Sequence, residues 1–116
     1  MQQTNKHKQI IKKINTTLRK REVIHNLEYS RLDLAKDLGI GYTLMKQIIH
    51  DEMDSTFRDL LNIERVKHAK KLLESPAHSG ESIEEIATQA GFNSRTTMHR
   101  AFVKHLGSAP GEFRKE

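Results

Sequence analysis

Ser30-Arg31-Leu32-Asp33-Leu34-Ala35-Lys36-Asp37-Leu38-Gly39-Ile40 and Ser82-Ile83-Glu84-Glu85-Ile86-Ala87-Thr88-Gln89-Ala90-Gly91-Phe92 are two copies of one pattern, 52 residues apart. Each runs serine, two variable residues, an acid, Leu or Ile, alanine, two variable residues, an apolar residue, glycine and an apolar residue. Serine with an acid three positions on is a helix start, because each side chain can serve the other's free backbone N–H. The first copy presents Leu32, Leu34, Ala35 and Leu38 as an apolar face, and the glycine is the usual C-terminal stop. Each copy therefore predicts one short capped helix followed by a turn.

A second helix is expected after each turn. In the first copy it runs from Gly41–Tyr42 to about Asp51, with Met45, Ile48 and Ile49 inward. In the second it runs from Ser94 to His105, with Met98, Ala101 and Phe102 inward. Between the copies, Phe57, Leu60, Leu61, Val66, Ala69, Leu72 and Leu73 keep helical spacing until Pro76. Roughly 18 residues at ~1.5 Å each make a helix of ~27 Å. Residues 75–81 form a loop. Before the first copy, Ile10, Ile11, Ile14 and Leu18 predict a helix over 8–20. Met1–His7 are expected to fray, and residues 22–29 to form a connector anchored by Val23, Ile24 and Leu27. Gly107 ends the last long helix, and a short helix with Pro110 near its start closes the chain. No segment alternates with period two. The fold class is all-α, two helix-turn-helix subdomains joined by a long linker helix, about seven helices in all. The expected parts are residues 1–55, 56–75 and 76–116, together one domain.

The 116 residues contain no cysteine, which excludes disulfides, zinc-thiolate sites and a thiol nucleophile. No apolar run approaches the ~18 residues of a membrane span, so a cytoplasmic setting is expected. The net charge is +5, but residues 1–25 hold seven Lys/Arg against the single acid Glu22, so the rest is nearly neutral. Distribution is more telling. Residues 41–50 contain Lys46 and no acid, and residues 94–105 contain Arg95, Arg100 and Lys104 and no acid.

A helix-turn-helix holds its second helix so that one face projects and can enter a major groove ~12 Å wide. Two such units suggest two reading heads on double-stranded DNA, whose grooves repeat. The chain resembles the AraC/XylS-type transcription regulators over about residues 8–115. The sharpest likeness is Ser82-Ile83-Glu84-Glu85-Ile86-Ala87 with Gly91-Phe92, Arg100 and Phe102-Val103-Lys104, then Leu106 through Arg114. Leu61-Asn62, Arg65, Ala69 and Leu72-Leu73 are similar to the family's linker helix. In the first copy Gly41-Tyr42 stands where family members often have Ser-Pro, and Ile49 where they have an aromatic. Base contacts are therefore expected chiefly from the second copy.

The resemblance implies recognition positions at Thr43, Lys46 and Gln47 in the first copy, and at Arg95, Thr96, His99 and Arg100 in the second. Arg pairs bidentately with guanine, Gln with adenine, and a Thr methyl meets the thymine methyl. Ser94, at a helix start, and His50 and Lys104, late in their helices, suit phosphate. The implied partners are promoter or operator DNA and RNA polymerase, with a sensor or dimerisation domain expected elsewhere. The chain is either a stand-alone regulator or a fragment of a longer one.

Plainer roles compete with these. Arg100 can be a paired interior arginine that fixes the hairpin, His99 an ordinary surface residue, Leu44 packing, and the basic face of residues 6–21 a solvated helix face. His99 and His105 lie on different helix faces, which argues against a metal site, and Glu84-Glu85 point apart on a helix. Neither an enzyme nor a cofactor is expected. The alternatives to a sequence-specific regulator are a helical protein-interaction module and a non-specific architectural DNA binder.

Overall fold

A computed structural model describes residues 5–114; Met1–Thr4 of the expected frayed start lie outside the described residues. Among the described residues seven α-helices follow one another: α1 (Asn5–Leu18), α2 (Arg21–Ile24), α3 (Arg31–Leu38), α4 (Tyr42–Gln47), α5 (Phe57–Glu74), α6 (Ile83–Gln89) and α7 (Arg95–Leu106). No strand occurs among the described residues.

The caps are where the serines and the threonine put them. Ser30 Oγ accepts from Asp33 N–H at 3.2 Å, and the Asp33 carboxylate accepts from Ser30 N–H at 2.8 Å. Ser82 and Glu85 repeat this reciprocal arrangement, with Glu85 N–H donating to Ser82 Oγ at 3.0 Å. Thr56 caps α5 and Ser94 caps α7 through single side-chain acceptors. Each such cap is worth about 0.5–2 kcal/mol. Gly39 ends α3 in the left-handed region, at φ +69°.

Several local expectations give way to packing. Residues 5–7 are helical, and His7 Nδ1 lies 2.7 Å from Glu52 Oε2. Within the expected connector, Arg21–Ile24 is a helical turn, and Val23 and Ile24 in it are both buried. Leu27 and Leu32 are not buried: they are 49% and 67% exposed. The helix begun by α4 widens into a π-helical turn over Ile48–Glu52. That turn carries the adjacent residues Ile48 and Ile49 into the interior together. The loop 75–81 contains a 3₁₀ turn at Pro76–His78, and the closing helix is a 3₁₀ turn at Pro110–Phe113.

Two apolar cores result. Ile14, Leu34, Leu38, Met45, Ile48 and Leu61 belong to the first, and Val66, Leu73, Ile86, Met98 and Phe102 to the second. Helix α5 serves both: Leu61 faces the first core, and Val66, Ala69 and Leu73 face the second. The molecule is elongated, 47 × 25 × 21 Å.

Candidate nucleic-acid interface

In each unit the first helix supplies a small buried residue against the second, Ala35 in α3 and Ala87 in α6. Met45, Ile48 and Ile49 pin α4 and its π-helical extension; Met98, Ala101 and Phe102 pin α7. The opposite faces are left outside. Thr43, Lys46 and Gln47 are exposed at the i, i+3, i+4 spacing of one face of α4, and His50, also exposed, lies beyond it in the π-helical turn. On α7 the same register holds Thr96, His99, Arg100 and Val103, likewise all exposed. The offset between these faces is 53 residues, because Asn93 makes the second turn one residue longer. Neither face contains an acid.

The predicted residues fall into three groups. Thr43, Lys46, Gln47, Thr96, His99 and Arg100 share the two projecting faces, and Arg95 is exposed at the first turn of α7. Among the described residues Arg95 and Arg100 form neither a hydrogen bond nor an ion pair, so Arg100 is not an interior tie. Ser94 is exposed and caps α7 through Thr97 N–H at 3.1 Å. His50 and Lys104 are already engaged. His50 Nδ1 is 2.7 Å from Asp51 Oδ1. Lys104 Nζ donates to Asp59 Oδ1 at 2.8 Å, tying α7 to the start of α5. His105 Nε2 lies 3.9 Å from the same carboxylate.

Some residues of this surface escaped sequence reasoning. Val103 completes the α7 face at 47% exposure, with only its register to signal it. A groove of about 610 Å³ runs between the two units, with Arg31, Arg58, Asn93 and Thr97 among its lining residues. Arg31 stands at the first position of α3 and Arg58 at the second of α5, where sequence reading sees only solvated arginines. Tyr29 borders the same groove. Its hydroxyl donates to Asp37 Oδ2 at 2.7 Å, and burial first, then this carboxylate, pushes the phenol pKa upward.

Behind this surface lie groups whose ionisation is displaced. Burial lowers the pKa of the Arg65 guanidinium. The His68 imidazole is lowered by burial first, and then by the positive charges of His25, Arg21, Lys71 and His78. His25 and His68 meet edge to face at 5.2 Å. The partly buried Glu81 carboxylate is held below its ordinary pKa by hydrogen bonds from His78 and Gln89.

A family model described as a helix-turn-helix domain matches residues 34–116. The chain is 29% identical over 99 residues to the Msm operon regulatory protein of Streptococcus mutans, covering 83% of this chain and 34% of that one. It is 33% identical over 84 residues to the HTH-type transcriptional regulator YdeO of Escherichia coli, covering 72% and 31%. The chain thus spans about a third of the length of these curated relatives. In fold it is similar to the C-terminal domain of AraT, a response regulator from Geobacillus stearothermophilus. That match has a TM-score of 0.75 at 23% identity and covers 90% of this chain and 83% of that one. It is also similar to the DNA-binding domain of AdpA, solved with a target DNA, with a TM-score of 0.68 at 21% identity and coverage of 96% and 91%. With the doubled pattern, the two capped units and the family match in agreement, the chain belongs to the AraC/XylS-type helix-turn-helix regulators.

Proposed function

We propose that this chain binds double-stranded DNA sequence-specifically and serves a bacterial transcription regulator, with α4 and α7 in successive major-groove segments. The observation that carries the reading is the pair of exposed, acid-free faces in matching register, Thr43/Lys46/Gln47 and Thr96/His99/Arg100, each followed by a further exposed residue, His50 and Val103. The long axis of 47 Å is enough to cover one turn of duplex, roughly 34 Å. Arg95, Arg100, Thr96 and His99 read bases in one segment; Thr43, Lys46 and Gln47 read the other. Ser94 and His50 meet phosphate. Lys104 reaches phosphate only by sharing its charge with Asp59, so its contact is the weakest of the set. The remaining elements of the reading are a promoter or operator as target, RNA polymerase as a neighbour there, and the cytoplasm as its place of action. They follow from what such a domain serves.

Binding to a fluorescent duplex across a salt series tests this. Neutralising phosphates releases counterions, so affinity should fall steeply between 50 and 200 mM salt, by about tenfold or more for even a few contacts. A nearly flat salt dependence, or no retention on duplex at all, would point to a protein-interaction module. Steep dependence with no preference among sequences would point to an architectural binder.

A further inference from the structure

Arg65 stands on α5 between Leu61, the linker helix's last contribution to the first core, and Val66, its first to the second. It is only 8% exposed. Among the described residues no carboxylate balances it. Instead Nε donates to the Ile24 carbonyl at 3.0 Å, and Nη2 to the Asn26 carbonyl at 2.7 Å. Ile24 is the last residue of α2, where carbonyls lack helical partners and a cation is favoured, and Asn26 lies two residues beyond it, its carbonyl also accepting from Tyr29 N–H at 3.2 Å. An apolar side chain would fill the seam without the cost of burying a charge. What the guanidinium adds is direction, since a planar fork holding two acceptors fixes an angle that an apolar contact leaves free.

Gly91 closes the same seam from the second unit. A Cβ there would lie 1.8 Å from the Ile24 carbonyl oxygen and 2.8 Å from Arg65 Nε. The first obstacle is backbone, so no side chain can swing aside. Ordinary contact begins at 3.4 Å, so an alanine would need about 1.6 Å more room at this contact between the two units, the difference between 3.4 and 1.8 Å. That is roughly half of one ~3.4 Å base-pair step. Gly39, the equivalent residue of the first copy, has the same left-handed backbone at φ +69°, but a Cβ there would meet nothing within 4 Å. The two glycines share a conformational requirement, and only Gly91 has a positional one.

We propose that the Arg65–Ile24–Gly91 seam is a positioning device: it sets the distance and angle between α4 and α7, and so selects the spacing of half-sites the protein accepts. This rests on the DNA-binding reading above for its consequence, but not for its mechanics. Arg65 and Gly91 act through the helices and touch no base.

Two measurements test it on the full chain. The first needs no DNA. The chain has no cysteine among its residues, so Lys46→Cys and His99→Cys allow spin labels on both faces. The wild-type background and Gly39→Ala should give one narrow distance, whereas Gly91→Ala and Arg65→Lys should shift or broaden it. Arg65→Lys keeps the charge but loses the fork, and serves if Gly91→Ala does not fold. An unchanged distance in folded Gly91→Ala or Arg65→Lys overturns the proposal, whatever the DNA shows. The second measurement uses a selected duplex and derivatives with one base pair inserted or removed between half-sites, each rotating one half-site by about 34–36°. The wild type and Gly39→Ala should lose at least tenfold in affinity per step. Arg65→Lys and Gly91→Ala should lose threefold or less, or shift their optimum by one base pair. A wild-type spacing profile in these variants, even with lowered stability, reduces the seam to ordinary packing and also overturns it. If the wild type binds no duplex while the label distances behave as stated, the DNA-binding reading fails and the positioning role stands.

Discussion

Arg114 and Arg100 lie 14 residues apart and have opposite surroundings. Arg114 donates from Nη1 to the Ser79 carbonyl at 2.9 Å and from Nη2 to the Glu81 carbonyl at 2.6 Å, drawing the loop before α6 onto the end of the chain. Arg100 is exposed, with its donors unused among the described residues. Arg114→Ala should therefore lower stability by about 1–3 kcal/mol, the worth of hydrogen bonds to a charged group, read as a lower urea midpoint. Arg100→Ala should leave the midpoint within about 0.5 kcal/mol. In return it should cost about 1–3 kcal/mol in DNA affinity and relax preference at one base position. The opposite pattern, Arg100 needed for folding and Arg114 for binding, would reverse the assignment. Sequence alone left Arg100 divided between these two roles and offered none for Arg114, because a guanidinium's partners are fixed by tertiary contacts.

Among the elements, α2 and α5 meet at a point sensitive to acid. His68 on α5 is half-buried against His25, with Arg21, Lys71 and His78 adding positive charge around it. Its folded pKa is lowered from the ordinary 6.5, so the unfolded chain binds the proton more readily. Stability is thus fully present above pH 6.5 and declines as pH falls from there through the lowered folded value. The melting temperature should be lower at pH 5.5 than at 7.5, and His68→Asn should shrink the difference. An equal drop in wild type and variant would acquit His68. The capped helices were legible because a serine, an acid three positions on and a closing glycine are local signals. The turn α2 was not, since it forms only where Val23 and Ile24 find a core to enter. Leu32 misled for the converse reason: helical spacing names an apolar position, but only the neighbouring elements decide which edge of the face is covered. The seam was invisible, since Arg65 and Ile24 stand 41 residues apart and neither has an unusual local context.

At the scale of the whole molecule, one linker helix shared between two cores gives an elongated body 47 Å long with a projecting helix face on each unit. The doubled pattern announced two similar units, and its unequal parts turn out to be unequally used. Both carry an exposed face, but among the described residues only the second offers arginines without protein partners there, and of the two matching glycines only Gly91 meets the other unit. The central claim is that these two faces read one stretch of duplex together. Selection of bound duplexes from a random pool tests it most directly. The account predicts a non-palindromic motif with two blocks about 10–10.5 base pairs apart, centre to centre. The stronger block should belong to α7 and weaken in the Arg95→Ala and Arg100→Ala proteins. A pool that yields no motif, or a single block indifferent to both substitutions, would contradict it.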